Sequence, residues 1–108
     1  MLNTHLITNS KVRNAIEALQ SADAATWFSH FEPDTQLLDD GHPADFRSFF
    51  EHALGHEHFT IIDQVENDGK AVFGQFHSDQ WGNFKTYFKF HLNAAARFDK
   101  LEIGQAEY

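Results

Sequence analysis

The chain has 108 residues, enough for one domain and too few for two cores. Hydrophobic residues make up 42% and charged residues 22%, which excludes a disordered polypeptide, and no run of apolar residues is long enough to offer a membrane span. Sixteen acids against eight Lys and Arg give a formal charge of −8, a field that repels phosphate backbones and excludes nucleic acid as a partner, while the absence of Cys excludes disulfides, zinc knuckles and thiol nucleophiles.

The first residues lack a basic start followed by an apolar block and a cleavage site, so a cytoplasmic location with no membrane partner is expected. From Ser10, SKVRNAIEALQ reads as a helix, with Asn9 or Ser10 as cap and Val12, Ala15, Ile16 and Leu19 on one face. Ser21-Ala22-Asp23 breaks the pattern. A shorter helix follows, carrying Ala24, Trp27, Phe28 and Phe31 at helical spacing until Pro33 stops it.

Thr35–Asp39 fits a short buried strand ending in a turn at Asp39-Asp40-Gly41-His42. A third helix then opens at Pro43 with Phe46, Phe49, Phe50, Ala53 and Leu54 as its apolar stripe, and Gly55 is placed to end it. After Gly55 the period becomes alternating. His58–Val65 puts Phe59, Ile61 and Val65 on one side, and Asn67-Asp68-Gly69 makes a hairpin turn. Lys70–Trp81 has two rows, Phe73, Gln75, His77, Asp79 and Val72, Gly74, Phe76, Ser78, and parity alone leaves open which of them faces inward. Phe84–Leu92 sets Phe84, Thr86, Phe88, Phe90 and Leu92 against Lys85, Tyr87, Lys89 and His91. Phe98–Ala106 closes the chain with Leu101 and Ile103 inward. The expected class is therefore α+β: about three N-terminal helices packed on one face of a curved, mostly antiparallel sheet, as a single domain over 1–108.

This element order resembles the NTF2-like superfamily, in particular its SnoaL-like and ketosteroid-isomerase-like group. The residues that carry it are FEPDTQLLDDGHP as the first strand and its turn, FRSFFEHALG before the meander, and the TYFKF strand. The resemblance implies a cystatin-like cone enclosing an apolar small-molecule pocket, a homodimer formed through the sheet, and chemistry without a cofactor. It implies a general base at the end of the first strand, here Asp39 with Asp40 as the alternative. The isomerases also use a tyrosine on the first helix, where this chain has Asn14-Ala15-Ile16, and a protonated aspartate on the long strand, where it has Thr86. Each such donor typically contributes a few kcal/mol to the transition state, so a steroid-isomerase mechanism is not expected.

The Asp39, Asp40 and His42 corner reads either as an acid–base group or as plain turn chemistry. Glu51, His52, His56, Glu57 and His58 have the look of metal ligands, but Gly55 interrupts the helix between His52 and His56, and no metal is expected. His77 with Asp79 is either an inward dyad or a solvated pair. Trp27, Phe31, Phe50 and Phe88 are core residues that also serve as the candidate wall for a small apolar molecule. Two functions remain open: cofactor-free proton transfer, cyclisation or dehydration with Asp39 as base, or a non-catalytic ligand-binding or dimeric scaffold module.

Overall fold

A computed structural model describes residues 2–108. After a 3₁₀ turn at Thr4–Leu6, Asn9 starts helix α1 (Ser10–Gln20), its side chain accepting the N–H groups of Lys11 and Val12 at 3.0 and 3.1 Å. These are donors that have no partner inside a first helical turn. Val12, Ala15, Ile16 and Leu19 are all buried, as their spacing requires. Helix α2 (Ala24–Ser29) is capped by Asp23 and buries Trp27.

Phe31 does not belong to α2 as its spacing predicted. The helix stops at Ser29, and Phe31 opens strand β1 (Phe31–Asp39). Pro33 disfavours helix at Glu32, and the strand accepts the proline because its pairing is interrupted between Phe31 and Gln36. A second departure follows at Pro43. His42–Ala44 is a short strand, β2, pairing back on β1 with Leu38 opposite Pro43 and Asp39 opposite His42. Asp45, two residues beyond Pro43, caps helix α3 (Phe46–Ala53) by accepting the Ser48 N–H at 2.9 Å. Gly55, at φ +87°, turns the chain out of the helix as expected.

Four strands then run as an antiparallel meander: β3 (Glu57–Glu66), β4 (Ala71–Ser78), β5 (Gly82–Leu92) and β6 (Phe98–Gln105). β1 joins β6 in parallel, so the six-stranded sheet has the order β2-β1-β6-β5-β4-β3 and does not close. In β3 the register slips between Phe59 and Ile61 and again between Ile62 and Gln64. Each slip inserts an unpaired residue and shifts parity. Ile62 is therefore buried with Phe59, whereas Ile61, expected inward, is 45% exposed.

On β4 the inward row is Val72, Gly74, Phe76 and Ser78, all buried. β5 follows its predicted parity, with Thr86, Phe88 and Phe90 buried beneath the helices. Trp27 lies at the centre of the aromatic core, with ring centroids 4.8 Å from Phe31 and 4.7 Å from Phe50. Side chains of this size each contribute about 2–3 kcal/mol by leaving water.

Side chains from the N-terminal segment cap part of one outer edge of the sheet, and the other edge is short. On β3 the Gln20 amide donates to the Phe59 carbonyl and accepts its N–H, both at 2.8 Å. Asn3 makes the same double contact with Ile62, both at 2.9 Å. On the far side the edge strand β2 is three residues long and carries Pro43.

Candidate functional site

Helix α3 crosses above the inward rows of β4, β5 and β6 and leaves a cleft of about 1180 Å³ beneath it. Its apolar wall comes from Leu19, Phe49, Phe50, Ala53, Phe76, Phe84, Phe88 and Ile103. The β1–β2 turn supplies Asp39 and Asp40 at one end, and the β4–β5 turn supplies Asp79, Gln80, Trp81 and Asn83 at the other.

The sequence around Asp40 explains the first end. Asp40 and Gly41 form the two-residue loop of the β1–β2 hairpin with φ +49° and +82°, the conformation that Asp-Gly adopts most readily in a tight hairpin. The Asp40 N–H donates to the Ile103 carbonyl at 2.9 Å, and its Oδ1 accepts the Gln105 N–H at 2.9 Å. Asp40 thus brackets Gly104 from both sides. A Cβ on Gly104 would stand 2.6 Å from Tyr87 Oη and closer still to Asp40 Oδ1. Hydrogen there lets the turn close over β6.

Asp39 differs from its neighbour. Its carboxyl is half-buried, and its proton affinity is raised first by burial and then by the charge of Asp40, with His42 opposing both. Among the described residues no donor hydrogen-bonds to this carboxyl. His42 is exposed on β2 opposite Asp39.

Thr86 lines the cleft and is buried, but its hydroxyl donates to the Gly104 carbonyl at 2.6 Å. A hydroxyl has one hydrogen to give, and this one is taken. Of the candidate wall residues, Phe50 and Phe88 line the cleft. Trp27 and Phe31 are packed against Phe46, Phe50 and Phe90 within the core, away from the lining.

The other end is polar and fixed by histidines. His52 lies on α3, its Nδ1 2.8 Å from the Ser48 carbonyl, so that nitrogen carries the hydrogen. His77 and Asp79 do pair, at 3.0 Å, but His77 lies on the outward row of β4, and Asp79 reaches His56 as well at 3.1 Å. Among the described residues no group of three or more His, Asp or Glu has the geometry to hold a metal ion. Phe49, Phe76, Phe84, Ile103 and Trp81 are cleft residues the sequence did not single out. For Phe76 the signal is its parity with buried Val72; for Trp81 there was none, because the turn that carries it read as the end of a strand.

No protein-family model and no curated protein matches this sequence. Solved structures do match in shape. An NTF2-like protein of unknown function from Cytophaga hutchinsonii is 10% identical over 98% of this chain and 92% of its own, with a TM-score of 0.73. A candidate polyketide cyclase from Sinorhizobium meliloti is 16% identical over 88% of this chain and 94% of its own, with a TM-score of 0.72. A SnoaL-like protein of unknown function from Burkholderia thailandensis is 16% identical over 94% of this chain and 98% of its own, with a TM-score of 0.68. Helices on one face of an open, mostly antiparallel sheet, and these neighbours along nearly the whole chain, make this an NTF2-like, cystatin-like fold.

Proposed function

We propose that this protein holds a small apolar molecule in the cleft beneath α3 and moves a proton on it with Asp39, without a cofactor. The observation that carries the reading is the Asp39 carboxyl: half-buried at the lip of a Phe-lined cleft, raised in proton affinity, and free of hydrogen bonds from the described residues. A carboxylate of this kind takes a proton next to a carbonyl more readily than a solvated one. Asp40 is spent on the turn and on Gln105, so the base is Asp39. The candidate polyketide cyclase among the structural neighbours is in keeping with chemistry of this class.

The test is exchange of the α-protons of 2-tetralone in heavy water, followed by proton NMR with and without the full chain. Wild type should accelerate exchange saturably, and Asp39→Asn should lose the acceleration while remaining folded. Exchange at the buffer rate, or an Asp39→Asn variant as active as wild type, refutes proton transfer by Asp39.

A second reading is favoured by Thr86. Its only hydrogen goes to Gly104, and no tyrosine occupies Asn14-Ala15-Ile16, so a developing oxyanion would lack the two side-chain donors of the isomerases. A non-catalytic binding module would take up 2-tetralone saturably and leave its exchange rate unchanged.

A further inference from the structure

The β4–β5 turn is fastened along its length. Buried Ser78 accepts the N–H groups of Gln80 and Trp81 at 3.2 and 3.1 Å, and its hydroxyl donates to Glu57 Oε2 at 2.9 Å. The Asp79 N–H donates to the His56 carbonyl at 3.0 Å. Its carboxylate meets His56 Nδ1 and His77 Nε2, and His77 Nδ1 meets Asn83 Oδ1 at 2.7 Å. On this held turn Trp81 lines the cleft, yet it is 72% exposed, whereas the other exposed large apolar residues, Leu6, Ile61 and Tyr108, lie between 41% and 47%. The chain's other tryptophan, Trp27, is fully buried.

An indole left in water on a flexible loop would mean little. Carried on a turn fixed by seven hydrogen bonds at the mouth of a cleft, it presents a flat apolar face to solvent. Charge narrows the occupant further. Among the described residues the cleft is lined by four carboxylates, Asp39, Asp40, Glu57 and Asp79, against two histidines, His52 and His56, and by no Lys or Arg. Asp39 is already desolvated, so an anion beside it would add like-charge repulsion to that cost.

We propose that the cleft takes a flat, uncharged, conjugated ring molecule, with Trp81 stacked on its face at the mouth and the rim carboxylates turning anions away. This deepens the reading of the cleft as a small-molecule site and rests on it. Offset stacking on an indole adds roughly 3- to 10-fold in affinity beyond what area alone provides, and it requires a partner that can lie flat.

The test is calorimetric titration of the full chain with three matched probes. These are 2-naphthalenemethanol, which is flat and neutral; decahydro-2-naphthalenemethanol, which is puckered and neutral; and 2-naphthoate, which is flat and anionic. The flat alcohol should bind tightest, the puckered alcohol roughly 3- to 10-fold more weakly, and the anion more weakly still, with a gap that narrows as salt rises. Trp81→Ala should erase the preference for flat over puckered without moving the melting temperature, and Trp81→Phe should keep part of it. Equal binding of the two alcohols by wild type, a preference that survives in Trp81→Ala, or naphthoate binding as tightly as the alcohol overturns the inference while leaving the cleft as a small-molecule site. Failure of all three probes to bind overturns that underlying reading and the inference with it.

Discussion

Gly104→Ala puts the geometry of the β1–β2 corner to a quantitative test. On backbone entropy alone, alanine in a strand is favoured over glycine by about 0.5–1 kcal/mol. Here the new Cβ would stand 2.6 Å from Tyr87 Oη and nearer still to Asp40 Oδ1. Tyr87 contributes the far end of a side chain, which can swing aside. Asp40 cannot move without releasing the Gln105 N–H, because its own N–H is tied to Ile103. A hydrogen bond to a charged acceptor contributes about 1.5–3 kcal/mol, and this one is exposed, so the lower end applies. Set against the entropic gain, the net loss is roughly 0.5–1 kcal/mol, which in a domain of this size lowers the melting temperature by roughly 2–8 °C.

The same substitution made in Asp40→Gly provides the control, since glycine suits the positive φ of the turn and removes the carboxylate. In that background Gly104→Ala should cost at least ~1 kcal/mol less, a non-additivity measurable by thermal or urea unfolding of the four proteins. Equal costs in the two backgrounds would show that Asp40 is not what the methyl displaces.

Two further outcomes follow from titration. The Asp39 carboxyl is pushed up by burial and by Asp40, so the folded state holds its proton to a higher pH than the unfolded chain. Its ionisation therefore costs stability above that range and the cost vanishes as pH falls; Asp39→Asn should melt higher than wild type near pH 7, with the margin closing toward about pH 3, and a margin independent of pH would refute this. His30, whose Nε2 is buried without a partner among the described residues, has its pKa lowered from 6.5 by burial first and by Lys11 and Arg97 second. The unfolded chain takes a proton that the folded chain refuses, so this contribution is intact above 6.5 and is lost as pH drops below it. His30→Leu should flatten that acid-side fall in urea-unfolding free energy; an unchanged slope would place its origin elsewhere.

Most of the sheet was legible because its signal is local. Phe84–Leu92 alternates without a break, and Val12, Ala15, Ile16 and Leu19 keep a helical period, so both elements and their buried faces could be read directly. What escaped depends on parity or on distance. The slips in β3 exchange Ile61 for Ile62, and nothing in HFTIIDQV marks the unpaired residues. Pro43 suits both a first helical position and a short edge strand, and only the Asp45 cap decides between them. Phe31 keeps helical spacing with Trp27 and Phe28 although the helix ends before it. The Asp39 corner was found because a turn announces itself through Asp-Gly. At the opposite rim His52 and Asp79 stood out only as metal-like or dyad residues; that they line one cleft with Ser48 and Trp81 depends on where α3 lies on the sheet.

The amides of Gln20 and Asn3 act as a counterfeit seventh strand. Each offers one donor and one acceptor to the open side of β3, which is what another chain's backbone would offer. With Pro43 blunting the other side, strand addition is disfavoured at both ends of the sheet. The protection is borrowed from the N-terminal segment. Whatever peels the first twenty residues away, by proteolysis or local unfolding, uncovers Phe59 and Ile62 together and turns a closed edge into a site for strand addition. Aggregation of this protein should therefore begin at its N-terminus, with the sheet itself still folded.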